Sequence, residues 1–429
     1  MRPNIVIIIC DSLRPRDLSL YGNSIQYDKH IKQIAAESVV FKNNFTVSNA
    51  SDVSVTSLFS SKYPSTLGFF HQHPNTKKEE ITALRKNKFW FPIYLKKRGY
   101  STFSATPLHL WFKKGFDTFM ERKVERSILN NSLIKKTLLS LPHWAYAFGK
   151  KYFKARASPH FYSAQEVVDL AIHQMQSSEK PFFLFMHLID SHYPYPSVQL
   201  PSIKKGTSLR SILNNMESPL QKEYIKKRFF DIGADYLEQI IEKRNKSILY
   251  LDKQLGRIYQ SLKKEKLWDN TILVLLSDHG DNFGEHTIYL CRGGLYDSSV
   301  HVPFLMHVPG LPGKTVYELT QTIDVVPTLL ELLKDQRQDI DGRSLLRIMK
   351  GGEEIRNTVM FFDGYAQKAY GIRSKKEKMI LRDNSRCYLC GAFHGKNKEM
   401  YDLEKDPEEL NEIYTEKNEL EHLLKKIDY

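Results

Sequence analysis

Residues 4–10, NIVIIIC, form an unbroken apolar and largely β-branched run that stops at an acidic residue, Asp11. A run without polar alternation buries both faces of a strand. That is the pattern of a parallel sheet covered on both sides, where functional side chains gather at the carboxyl ends of the strands. A second such run, TILVLL at 271–276, leads directly into SDHGDNFGEH at 277–286. Between the two, a helix at 91–98 stopped by Gly99, a strand at 100–105, a helix at 164–176, a strand at 182–188 and an amphipathic helix at 245–264 follow one another. This alternation predicts an α/β fold, a mostly parallel sheet sandwiched by helices.

Two basic, aromatic-rich segments interrupt the rhythm, at about 121–160 and 197–241, and read as helical insertions over the sheet edge. From 361 the pattern changes to short strand-like pieces at 370–373 and 378–382, then a turn and helix at 401–425. The expected organisation is a catalytic domain over 1–360 and a small C-terminal α+β subdomain over 361–429. No internal repeat or low-complexity tract is evident.

With 429 residues and 41% hydrophobic content, the chain can bury a large core, and its net charge of +14 favours anionic partners. The first apolar run is too short for a signal peptide, and no stretch approaches the roughly 18 apolar residues of a membrane span. The four cysteines, Cys10, Cys291, Cys387 and Cys390, are too few for a disulfide framework. A cytoplasmic setting is therefore expected. Cys387 and Cys390 form a CxxC with His394 close behind, but a structural zinc wants four ligands and no second pair is visible, so two ordinary hairpin cysteines are expected.

Chemistry concentrates at Asp278 and His279, a carboxylate and an imidazole presented at a strand end and followed by Gly280, which lets the chain turn sharply. This is how a sheet builds half a metal site; the competing reading is a loop or capping pair. Asp11 can add a further oxygen ligand if its strand neighbours that of Asp278.

Ordered motifs then run along nearly the whole chain. They are CDSLRPRDLSLYG at 10–22, SLFSSKYPSTLG at 57–68, LKKRGYST at 95–102, GFDTF at 115–119, HLIDSHYPY at 187–195, LWDNTILVLLSDHGDNFGEH ending at 286, LYDSSVHVPFLMHVPG at 295–310, IDVVPTLLELL at 323–333 and YDLEKDPEELNEI at 401–413. In order and spacing they resemble the sulfatase branch of the alkaline phosphatase superfamily. The resemblance implies an alkaline-phosphatase-like sheet and one divalent cation held by Asp11, Ser51, Asp278 and His279.

Aligning SLFSS with the family's pattern implies that Ser51 is the nucleophile; Ser48 and Ser54 compete for the role, and a plain helix cap is the alternative. The family converts its Cys or Ser to formylglycine where Pro or Ala stands at the second position after it and Arg at the fourth. This chain has Val53 and Val55 there. An unmodified Ser51 is therefore expected, which turns the reading toward phosphate esters.

By the same resemblance, His192 would bond the ester and protonate the leaving oxygen, and His109 would be a further catalytic histidine, with a packed surface histidine as its alternative. Arg292 would replace the family's anion-binding lysine. Arg14 could reach the anion or simply be solvated, and His301 stands where the family has an arginine. Ser12 replaces a second metal-binding Asp. A carboxylate set with His279 tilts the metal toward Mn²⁺ or Zn²⁺ over Ca²⁺ or Mg²⁺.

The leading expectation is a metal-dependent hydrolase of phosphate esters, chiefly diesters. The alternatives are a sulfatase with formylglycine at residue 51, transfer of a phospho-substituent to a glycan or lipid, and an inactive binding protein. The partner is an anionic ester of glycan, lipid or small-molecule type; no nucleic-acid motif is present. Residues 131–156 could meet an anionic membrane or pack as an amphipathic helix on the core.

Overall fold

A computed structural model describes residues 2–108, 110–120, 162–179, 181–216, 218–364, 368–383, 386–387, 394–414 and 419–425. The expected insertion at 121–160, its 131–156 portion, His109 and Cys390 lie outside them. Eight strands build the main sheet: β1 (Asn4–Cys10), β2 (Val39–Phe45), β3 (Ser101–Ala105), β4 (Thr118–Met120), β5 (Phe182–Leu188), β6 (Thr271–Leu276), β9 (Phe304–His307) and β10 (Lys314–Gln321). Their order is β10-β2-β9-β6-β1-β5-β3-β4. All neighbours are parallel except β9, which runs against both β2 and β6.

The unbroken apolar runs have the cause that their sequence suggested. Ile5, Ile7 and Ile9 join one core with Phe59, Phe91 and Phe183, while Val6, Ile8 and Cys10 join another with Leu251, Leu255 and Trp268. Both faces of β1 are thus covered by helices, and each buried aliphatic side chain contributes about 2 kcal/mol of transfer free energy. The helix expected from 245 begins earlier and spans Leu237–Lys264. Its first turns face the inserted helices Leu209–Asn214 and Pro219–Ile232, which carry a core of their own around Ile212, Ile225, Phe229 and Ile240. That core also holds Phe283 and Leu290 from the hairpin of β7 (Asn282–Phe283) and β8 (Tyr289–Cys291), so the insertion braces the segment that follows Asp278 and His279.

Beyond the main sheet, β11 (Val359–Phe362), β12 (Ala369–Arg373), β13 (Glu377–Arg382) and β14 (Lys398–Asp402) form an antiparallel sheet. Tyr401, expected at the start of a turn and helix, lies instead in β14, because Lys398–Asp402 pairs along β13; the helix follows at Glu419–Lys425. Phe361 and Ile380 of this sheet pack on Phe45, Val300 and Leu319. Lys378, wholly buried, pairs with Asp297 at 2.8 Å and Glu409 at 2.6 Å. Cys291 and Cys387 are buried thiols that His394 bonds together, joining β8 to the loop before β14. Among the described residues no helix is long and apolar enough to cross a membrane.

Candidate active site

Three adjacent strands release their side chains at one point. Strand β1 lies between β6 and β5, with Ile9 level with Leu276 on one side and His187 on the other. Asp11 follows the end of β1 and Asp278 follows β6 by two residues, so both acids and the buried His187 meet at the carboxyl edge. Asp11 Oδ2 accepts from His187 Nε2 at 3.1 Å, and the same nitrogen lies 3.7 Å from Asp278 Oδ2. His279 Nε2 closes the group, 3.4 Å from Asp11 Oδ1 and 3.5 Å from Asp278 Oδ2. Asp278 Oδ1 accepts from the amides of Ser12 and His279, whereas its Oδ2 is buried with no hydrogen-bond partner.

An orphaned carboxylate oxygen inside a protein is costly unless a cation completes it. Among the described residues, ligand atoms of Asp11, His187 and Asp278 all lie within 4.8 Å of one another. Two carboxylates and two imidazoles in this arrangement fit one divalent cation. Burial works against ionisation of Asp11, yet His192 and His187 hold its carboxyl well below the usual range. Burial, helped by the nearby Arg292 guanidinium, pushes His279 down to about 4. His279 Nδ1 donates to the Gly280 carbonyl at 2.7 Å, which leaves the Nε2 lone pair facing the acids.

Ser51 is the first residue of the helix Ser51–Ser60, and all ten of its residues are buried. Ala50 occupies the capping position, and the Ser51 hydroxyl makes no cap bond. It donates instead to His279 Nε2 at 3.1 Å and accepts from Arg292 Nη1 at 3.0 Å. The same Arg292 nitrogen also meets His279 Nε2. The competing serines are engaged elsewhere: Ser48 Oγ accepts from the Ala50 amide, and Ser54 Oγ bonds Thr46. Gln72 Oε1 accepts from both the Ser51 amide, at 3.1 Å, and Arg292 Nη2, at 3.0 Å, and so sets the guanidinium fork beside the hydroxyl. Asn49 holds the Arg292 carbonyl from the other side.

His192 lies near this group, its ring centroid 6.2 Å from that of His279. Its Nδ1 donates to the Tyr193 carbonyl, so Nε2 carries the lone pair, and burial keeps the imidazole below its ordinary pKa. A neutral ring in this tautomer accepts a proton before it can donate one.

Two expected anion-binding residues are placed differently. Arg14 gives its donors to Asp17, Glu285 and the Asp281 carbonyl, because a buried guanidinium must satisfy its fork locally. His301 donates to the Lys42 carbonyl and stacks on Phe45, a packing role behind the sheet end. Gly280 also has a reason other than a sharp turn: a Cβ there would stand 2.0 Å from the Ser298 carbonyl oxygen.

The likeness to known proteins extends along nearly the whole chain. The Sulfatase family profile matches residues 3–335, and that of the N-sulphoglucosamine sulphohydrolase C-terminal region matches 284–428. The chain belongs to the sulfatase family. Like the rest of that family, it is a hydrolase of the alkaline phosphatase superfamily. It is 25% identical to an arylsulfatase of Clostridium perfringens, over 100% of this chain and 93% of that one. It is 24% identical to human iduronate 2-sulfatase, over 79% of this chain and 66% of that one. Among solved structures, a protein in complex with its substrate D-glucosamine-2-N,6-O-disulfate superposes with a TM-score of 0.70 at 20% identity, over 99% of this chain and 97% of that one. The phosphonate monoester hydrolase of Agrobacterium radiobacter gives 0.63 at 20% identity, over 96% and 91%. These structural likenesses establish the alkaline-phosphatase-like fold of this sulfatase-family chain.

Two members of the site were not named from sequence. His187 is the one polar residue in the strand FFLFMHL, which is a usable signal at the end of a buried strand beside β1. Gln72 sits in a loop and carries no such mark.

Proposed function

We propose that the chain hydrolyses sulfuric esters carried by an anionic carbohydrate, with residue 51 as the attacking group. The observation that carries this reading is the convergence of Ser51 Oγ with Arg292 and His279 beside Asp11 and Asp278. It is supported by curated relatives named as sulfatases and by the basic net charge of +14. This reading departs from the phosphate-ester expectation because curated relatives that match nearly the whole chain are sulfatases.

Asp11, Asp278, His279 and His187 would hold the cation, whose charge would acidify the attacking hydroxyl and offset charge on the ester oxygens. Arg292 binds those oxygens, and Gln72 keeps its fork aligned. His192 takes the proton of the attacking group at Nε2 and returns it to the leaving oxygen. The sheet edge and the buried helix Ser51–Ser60 limit water around the reacting atoms.

A second reading rests on Val53 and Val55. They stand where the formylglycine signal needs Pro or Ala and Arg, and they favour an unmodified Ser51 acting on phosphate esters. The two readings separate in one experiment. Turnover of p-nitrophenyl sulfate and of bis-p-nitrophenyl phosphate is measured with Mn²⁺ or Ca²⁺, alongside the mass of the peptide containing residue 51. Sulfate turnover with a formylglycine mass supports the first reading. Phosphodiester turnover with an intact serine replaces it with the second.

A further inference from the structure

The proposed attack on an ester gives no task to His187, a buried polar residue at the inner side of the site. Its side chain is 0% exposed, it ends an otherwise apolar strand, and its Nε2 lies between Asp11 Oδ2 at 3.1 Å and Asp278 Oδ2 at 3.7 Å. The second of these oxygens is the one with no hydrogen-bond partner. On the far side of the ring, Nδ1 lies 3.5 Å from Thr106 Oγ1, an oxygen that also accepts from the Leu108 amide. With a cation in place of the proton that Nε2 gives to Asp11, Thr106 can receive the Nδ1 proton and leave the Nε2 lone pair to the metal. A ligating histidine has this arrangement, with its second nitrogen anchored by an outer polar group.

Ser12, next to Asp11, supplies only a hydroxyl, which bonds Asp11 Oδ1 at 3.1 Å and adds no charge to the group. With two carboxylates alone, the site offers two negative charges, and the remaining donors must be neutral. We propose that His187 is a protein ligand of the cation, making a two-aspartate, two-histidine set that prefers Zn²⁺ or Mn²⁺ to Ca²⁺ and leaves the filled centre uncharged apart from Arg292. Nitrogen donors favour borderline transition ions, whereas Ca²⁺ seeks oxygen only. The absence of surplus negative charge at the centre suits an anionic ester group, which Arg292 then grips.

This inference rests on reading the edge as a metal-dependent hydrolase site, and its test does not depend on turnover. Metal-stripped wild-type protein is reloaded with Zn²⁺, and X-ray absorption at the zinc edge counts the imidazoles on the ion. Two are expected, from His187 and His279. In parallel, Zn²⁺ affinity is measured by competition with a chelating dye for wild type, His187→Asn and Thr106→Val. A loss of about 100-fold or more is expected for the first, and about tenfold for the second. One imidazole on the ion and an unchanged affinity in His187→Asn overturn the role of His187 while leaving the hydrolase reading intact. Failure of the wild type to retain any Zn²⁺, Mn²⁺ or Ca²⁺ overturns both. Because the imidazole count uses only the native sequence, the outcome stands even if His187→Asn does not fold.

Discussion

Arg292 shows how one side chain acquires a task from its surroundings. Gln72 accepts from one arm of its fork while Ser51 accepts from the other, so the plane of the guanidinium is fixed before any ester arrives. Lysine at this position keeps the charge but cannot hold both contacts. Arg292→Lys is therefore expected to lower kcat/KM by about 100-fold, the scale of losing one donor to a developing anion, with an unchanged unfolding midpoint. Gln72→Ala should raise KM more than it lowers kcat, since it loosens binding without removing charge; steady-state kinetics on an aryl ester distinguish the two. Ser51→Ala should abolish turnover of every ester while leaving Zn²⁺ affinity within about tenfold of wild type, because the two acids and two histidines remain.

Strand ends are where the site was legible. Asp11, Asp278 and His279 could be read because an acidic residue after a buried apolar run marks the carboxyl edge, and the parallel register of β1 with β6 brings the two runs level. His187 escaped notice because its strand reads as plain core, and only the order β6-β1-β5 makes it a neighbour of both acids. Arg14 and His301 were drawn toward the anion by their place in the motifs. Burial decided otherwise, committing one to Asp17 and Glu285 and the other to a backbone carbonyl. The turn after Asp278 carries a stricter requirement than its sequence suggested. With the Ser298 carbonyl 2.0 Å from where a Cβ would stand, Gly280→Ala must push β6's terminus away from the segment at 297–300. A loss of about 2 kcal/mol by urea denaturation is expected, with weaker Zn²⁺ binding as Asp278 and His279 shift.

Across the molecule, the small antiparallel sheet is joined to the larger one by charge as well as by apolar packing. Lys378 is buried between Asp297 and Glu409, so Lys378→Met leaves two acids facing each other in the interior. It should cost about 3–5 kcal/mol in chemical denaturation. Stability should also depend on pH through His301. Burial pushes its imidazole down to about 4 from an ordinary 6.5, so the unfolded chain takes up a proton over that interval while the folded one does not. Stability is thus expected to fall as pH drops from 6.5 toward 4, and His301→Asn should flatten part of that slope in thermal melts. Finally, the helix that begins at Ser51 is interior along its whole length, and Ser51 itself is only 3% exposed. An enzyme that rewrites the side chain of residue 51 could reach it only on the nascent or unfolded polypeptide. Any alteration of residue 51 therefore has to precede folding, and a mature molecule that has closed over a serine keeps it.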